Sequence, residues 1–355
     1  MAVRSADLKS VEALLRGGSR SFHLAGQLLP RRTRSAATAL YAFCRLADDA
    51  IDGPQRSDAS LPQLRARLDR IYDAAPLPQP VERLLASTVR QCAIPRALLD
   101  ALLEGFEWDA AGRRYHDIAA LRAYSARVAG SVGVMMTLMM GVRQPAVLAR
   151  ACELGIAMQL TNIARDVGED ARAGRLYLPC QWLREAGIDP DGWLAQPAFT
   201  PALAGVIERV LMAADAAYAR ATMGIAHLPA RARAGIHAAR RLYAEIGQDL
   251  RRHGLDSVAR RAHVGRARKL WLLLAACGDA LSARPLQLSV QQFPESEFLL
   301  EAVRNMEWHE WHDWPEWLEH RPRASSGARM PDQGRAEWVI ELFLRLEQSE
   351  RGTAR

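Results

Sequence analysis

Two helical stripes of carboxylates constrain this 355-residue chain more than any other feature of its sequence. The first lies in Tyr41-Ala-Phe-Cys-Arg45-Leu-Ala-Asp48-Asp49-Ala-Ile-Asp52. On a helix, Tyr41, Arg45, Asp48 and Asp52 share one face. A core-facing helix would carry Leu or Ile there. Asp48 and Asp52 stand four residues apart, a spacing at which like charges mildly destabilise a helix. A divalent cation between them is the simplest remedy, and a solvated acidic face is the plainer alternative. The second stripe holds Gln159, Asn162, Asp166 and Asp170, with Arg165 and Glu169 alongside. One such stripe reads as surface. Two of them, each joining carboxylates to amide or guanidinium groups at helical spacing, rarely arise by chance, and they suit two helices facing each other across a bundle interior.

The rest of the chain supplies that bundle. Ala, Leu and Arg dominate and aromatics make up only 6%, which favours helix over sheet. Helices are expected over 34–51, 61–72, 81–92, 95–112, 118–142, 146–172, 201–226, 230–253 and 266–283. Residues 180–200, with Pro190, Gly192 and Pro197, read as irregular. Within 118–142 the small residues Ala129, Gly130, Ser131 and Gly133 weaken a helix unless something approaches closely. A tight helix contact and the wall of an apolar cavity both remain open there. Met135, Met136, Met139 and Met140 read as core filler.

Beyond residue 285 the character changes, and the chain divides into 1–285 and an extension, 286–355. Residues 295–319 hold eight acidic side chains against one basic, with Trp308, Trp311, Trp314 and Trp317 at intervals of three. A linker over 321–334 and a last amphipathic helix over 337–347 follow.

Several function classes are disfavoured. The apolar runs 132–142 and 270–277 are too short to span a bilayer, and the N-terminus lacks a signal-peptide pattern. Five scattered cysteines without a C-x-x-C argue for reduced thiols in the cytoplasm and against a disulfide or zinc framework. A net charge of +7 suits an acidic partner. Nucleic acid ranks last among such partners, since no RNA-binding or zinc-finger signature is present. No G-x-S-x-G, P-loop or G-x-G-x-x-G occurs.

Mg²⁺ binds through a few carboxylates plus substrate phosphates, so facing carboxylate helices suit a diphosphate. Arg45, Arg165 and one or both of Arg260 and Arg261 would complete the grip, because the guanidinium fork binds phosphate oxygens in pairs. Ser19-Arg-Ser21-Phe22 opens a helix, either as a plain cap or as an anion site.

These motifs, with Val128-Ala-Gly-Ser-Val-Gly133, Arg175-Leu-Tyr-Leu-Pro179 and Leu242-Tyr-Ala-Glu-Ile-Gly247, resemble the signatures of the squalene/phytoene synthase family in family order. Gln159 to Pro179 and Ala267-Arg-Lys-Leu270 look most like its phytoene-forming branch in carotenoid-making proteobacteria. The resemblance implies an all-α isoprenoid-synthase fold with a central cavity, Mg²⁺ (or Mn²⁺) as cofactor, and two molecules of geranylgeranyl diphosphate joined through prephytoene diphosphate to 15-cis-phytoene. It implies Asp48, Asp49, Asp52, Asn162, Asp166 and Asp170 as metal ligands. Ser19, Ser21, Arg45, Arg165, Tyr177, Tyr243 and Arg260 or Arg261 would hold diphosphate. Tyr41 and Gln159 would line the site, and Phe22 would lie along the prenyl chain. One departure is Ala126, where many relatives carry a second aromatic near Tyr124. A C30 squalene or dehydrosqualene synthase using farnesyl diphosphate is the neighbouring reading, and a non-enzymatic assembly factor on the same fold is the distant one. Because the implied product is an uncharged hydrocarbon, peripheral attachment to the inner membrane and hand-over to a downstream carotenoid enzyme are expected.

Overall fold

The computed structural model describes residues 25–52, 60–285, 287–289 and 291–306, and for Asp48, Asp49, Ile51, Asp52 and Ser60 the backbone alone. Ser19, Ser21, Phe22, the four tryptophans of 308–317 and the helix expected over 337–347 lie outside the described residues. Every regular element among them is helical. In chain order these are α1 (Arg31–Asp52), α2 (Ser60–Tyr72), α3 (Pro80–Cys92), α4 (Arg96–Ala110), α5 (Ile118–Ser125), a π-helical turn (Ala126–Gly130) and α6 (Ser131–Met139). Then come α7 (Pro145–Arg172), α8 (Cys180–Glu185), α9 (Pro190–Ala195), α10 (Pro201–Ile225), α11 (Ala230–Arg252), α12 (Arg266–Ser282), a 3₁₀ turn (Pro294–Ser296) and α13 (Glu297–Arg304).

Local chemistry sets most boundaries. Pro80, Pro145 and Pro201 open their helices, where a missing N–H costs nothing. Asp117 caps α5 through Ala120 N at 2.8 Å, and Thr200 caps α10 through Leu203 N at 3.1 Å. Residues 180–200, expected to be irregular, instead form α8 and α9. Asp189 caps α9 by accepting from Gly192 N, and Pro190 starts it. The turn-forming residues there are a helix start, and each helix has only six residues, too few to display a periodicity.

The single helix expected over 118–142 is also interrupted, by the π turn. The interruption coincides with close packing on α7. A Cβ added at Gly155 would stand 2.2 Å from the Ala129 carbonyl oxygen, and one at Gly133 would stand 2.2 Å from that of Ala151. Glycine at both positions lets two backbones touch, and the wide turn places Ala129 against α7. The tight-contact reading of the small residues therefore holds.

Helix α7 is the central column, packed against α10, α6, the π turn and α11. Its apolar positions, including Leu148, Ile156, Leu160 and Val167, join one large core. Leu299 and Leu300 of α13 enter the same core, so residues 291–304 pack onto the bundle.

Candidate active site

An apolar cavity of about 280 Å³ lies between α1 and α7. Helix α7 lines it from Val147 and Arg150 through Ala151, Leu154, Gly155 and Met158 to Gln159 and Asn162. At 1.5 Å per residue that path is about 22 Å. Tyr41 and Cys44 of α1, Phe106 of α4 and Tyr243 of α11 line it as well, and Ala129 and Gly133 form part of the wall. The cavity reading of the small residues thus holds alongside the contact reading. Met136 and Met140 line the cavity as well, whereas Met135 is core.

On both helices the lining gives way to carboxylates in the C-terminal direction. Along α1, Tyr41 and Cys44 are followed by Asp48 and Asp52 on the same face. Along α7, Gln159 and Asn162 are followed by Asp166 and Asp170. Arg45 is exposed one turn beyond Tyr41. Among the described residues, no three carboxylate, thiol or imidazole groups gather closely enough to hold a metal; the side chains of Asp48, Asp49 and Asp52 are not in that set.

Asp166 is held by two arginines. Arg165 donates from Nε to Oδ1 at 2.7 Å, and Arg261 from Nε to the same oxygen at 2.9 Å. Arg261 also pairs with Glu169 at 3.2 Å. Its reach to α7 has a local cause. A Cβ at Gly168 would stand 2.3 Å from the Val258 carbonyl oxygen, and Gly168 N donates to Ser257 O at 3.0 Å. The loop before α12 therefore lies directly on the helix. Asp256 shapes that loop by accepting from Val258 N and Ala259 N. Arg260 turns the other way, onto Asp249 at 2.9 Å. Burial raises the Asp249 carboxyl, but Arg260 and its neighbours outweigh that and hold it below the usual carboxylate range. Arg261, not Arg260, is the arginine on the α7 stripe.

Asp170 has a different environment. Burial first, then the charges of Asp166, Glu169 and Asp109, push its carboxyl up to about 7, against the pull of Arg175. It shares a small pocket with Arg175 and Tyr177. A carboxylate crowded by like charges suits a bound cation. One turn from Asp166, the buried Asn162 Oδ1 has no hydrogen-bond partner, and its side chain lines the cavity. An oxygen donor buried without a partner beside two carboxylates fits the oxygen coordination that Mg²⁺ takes.

Asp109 was not singled out by sequence. Tyr177 donates to its Oδ1 at 2.7 Å and Tyr124 to its Oδ2 at 2.8 Å. Tyr177 stacks on Tyr115 and on Tyr124, and those two rings meet at a 41° tilt, with all three centroids 5.1–6.0 Å apart. Burial, followed by the Asp109 charge, raises the Tyr124 and Tyr177 hydroxyls well above their ordinary range. The available signal was spacing: Leu102 and Phe106 line the cavity, and Asp109 continues their stripe.

The squalene/phytoene synthase family model matches residues 15–268. The chain belongs to the squalene/phytoene synthase family. A phytoene synthase of Rhodobacter capsulatus is 48% identical over 314 residues, covering 86% of this chain and 93% of that protein. A 15-cis-phytoene synthase of a Paracoccus species is 44% identical over 287 residues, covering 78% and 92%. Among solved structures, a dehydrosqualene synthase in complex with a ligand superposes with a TM-score of 0.71 at 30% identity, covering 78% of this chain and 97% of that one. A squalene synthase of Alicyclobacillus acidocaldarius gives 0.64 at 25% identity, covering 70% and 94%. The bundle is the all-α isoprenoid-synthase fold of this family, with α7 carrying its second aspartate stripe.

Proposed function

We propose that this family member is a phytoene synthase, joining two geranylgeranyl diphosphates head to head, and that Mg²⁺ (or Mn²⁺) at the two stripes assists it. The observation that carries the reading is the long apolar cavity bounded at one end by Asn162 and leading on to Asp166 and Asp170. Asp48, Asp52, Asn162, Asp166 and Asp170, with Asp49 beside them, would hold the metal. When bound, Mg²⁺ supplies positive charge against the diphosphate as it leaves.

The chain's own residues divide the remaining work. Arg165 and Arg261 keep further N–H groups for diphosphate oxygens, since a guanidinium has five and Asp166 accepts only some of them. Arg45, Tyr243, Ser19 and Ser21 would add contacts. The C–O bond of the first substrate breaks with its electron pair leaving on diphosphate. The resulting allylic cation is attacked by a double bond of the second substrate, and loss of a proton closes the cyclopropane of prephytoene diphosphate. A second ionisation, rearrangement and proton loss give phytoene. The apolar walls keep water from these cations. Asp109 already accepts the hydrogen bonds of Tyr124 and Tyr177, so each phenol offers lone pairs and an electron-rich ring to its surroundings.

Asp48→Ala and Asp166→Ala test the assignment. Each should abolish hydrocarbon formation while the far-ultraviolet helical spectrum stays native. Undiminished product from either variant contradicts it.

An uncharged C40 product also motivates peripheral membrane attachment. No helix among the described residues is long and apolar enough to cross a membrane, while Trp271, Leu274 and Leu281 of α12 are exposed. Liposome flotation should retain the chain, and recovery wholly in the unbound fraction would dismiss attachment.

A further inference from the structure

The far end of the cavity is closed in an unusual way for an apolar site. Arg150 is the only charged side chain among the described cavity-lining residues, and it is 2% exposed. It lies across Gly224, where an added Cβ would stand 2.4 Å from its own Cβ. Val147, Ile225 and Leu228 form a buried cluster beside it, and Leu288 packs against that cluster.

Behind Arg150 lies a buried ion network. Arg150 pairs with Glu153 at 3.0 Å, and Glu153 is fully buried. Arg220 donates to Glu153 at 2.6 Å and to the Gln291 carbonyl at 2.8 Å. Arg150 donates to that same carbonyl. Two guanidinium groups thus converge on one backbone oxygen of the segment that follows α12. Phe293 then packs under Arg220 and Arg122, each 4.9 Å from its ring centre, and Glu295 pairs with Arg122 at 3.0 Å. Leu299 and Leu300 anchor the segment in the core.

We propose that Arg150, clamped by Glu153 and the Gln291 carbonyl, is the end stop that sets the longest prenyl chain the cavity admits. This rests on reading the cavity as the prenyl site. The stop is rigid. An apolar side chain at the end of a tunnel yields by changing rotamer. Arg150 yields only by giving up its bonds to Glu153 and to the Gln291 carbonyl, which leaves its charge less well paired in a buried, apolar place and is unfavourable. Gln291 lies beyond residue 268, where the match to the family model ends.

The test uses the full chain, with prenyl diphosphates of 15, 20 and 25 carbons as substrates. Their unreactive thiolo analogues serve as calorimetric probes of binding. Arg150→Ala should raise the C25-to-C20 ratio of both kcat/KM and affinity by about tenfold or more. Val147→Phe shortens the same end by adding apolar volume, and should raise the C15-to-C20 ratio by a similar factor. Unchanged ratios in a folded Arg150→Ala protein overturn the end stop. If that variant does not fold, an unchanged ratio in Val147→Phe overturns it. Length-dependent binding of the analogues without any turnover would sink the synthase reading and leave the end stop standing; no binding by the wild-type chain sinks both.

Discussion

The Tyr177 hydroxyl donates to Asp109 Oδ1 at 2.7 Å, and this bond joins the loop after α7 to the last turn of α4. Tyr124, on the helix before the π turn, donates to the other oxygen. Three segments distant in sequence therefore meet at one carboxylate beside the Asp170 pocket.

Replacing that carboxylate should show at once in stability and in turnover. Hydrogen bonds to a charged group contribute about 1.5–3 kcal/mol each, so Asp109→Ala should lose about 3 kcal/mol in urea unfolding. Turnover should fall at least about tenfold, with substrate affinity little changed. Wild-type kinetics in the folded variant would remove Asp109 from the site.

Asn162→Leu separates a ligand from a packing residue by the sign of its effect. The unpaired Oδ1 makes the amide unfavourable in the absence of metal, so the substitution should leave stability unchanged or raise it by up to about 1 kcal/mol. The Mg²⁺ concentration giving half-maximal activity should rise about tenfold or more. A clear loss of stability with an unaltered Mg²⁺ requirement would assign Asn162 to packing.

Gly168→Ala acts on Arg261 at a distance. The new Cβ meets the Val258 carbonyl, and relieving such overpacking costs about 1–3 kcal/mol. The loop must lift, drawing Arg261 from Asp166. KM for the diphosphate substrate should rise more than kcat falls. A variant with unchanged KM would mean that Arg261 does not contribute to substrate binding.

His237 gives the fold a pH dependence. It is buried at 5% exposure, and burial, reinforced by Arg240, Arg241 and Arg233 against the pull of Asp279, lowers its imidazole to about 4 from an ordinary 6.5. Between pH 6.5 and about 4 the unfolded chain takes up a proton that the folded chain refuses, so stability falls as pH falls through that window. Full depression is worth about 3 kcal/mol. Urea unfolding at pH 7.5 and pH 4.5 should show a smaller loss for His237→Gln than for the wild type. Equal losses would place the acid sensitivity elsewhere.

The helices were legible because their signals are local: proline at the first position of α3, α7 and α10, and polar stripes at helical spacing along α1 and α7. Tyr41, Gln159, Asn162 and Tyr243, all singled out from sequence, line one cavity. The features that escaped depend on tertiary contact. Nothing local marks a π turn, because its cause is the α7 backbone opposite Ala129. Asp109 is a lone acid in its own helix, and becomes a hub only when Tyr124 and Tyr177 arrive. Arg150 and Glu153 carry no mark in the sequence, and they become a buried network only when Arg220 and Gln291 meet them. The choice between Arg260 and Arg261 required knowing where Gly168 lets the loop sit.

On this reading the stripes and the cavity together carry out a metal-assisted, C20-specific head-to-head prenyl condensation. The most direct measurement incubates the full chain with geranylgeranyl or farnesyl diphosphate and Mg²⁺, then identifies the hydrocarbon by mass spectrometry and chromatography against standards. Geranylgeranyl diphosphate should give 15-cis-phytoene and farnesyl diphosphate should react much more slowly, with product lost on adding EDTA and recovered on restoring Mg²⁺. A C30 hydrocarbon formed preferentially from farnesyl diphosphate, or phytoene formed undiminished in EDTA, would contradict it.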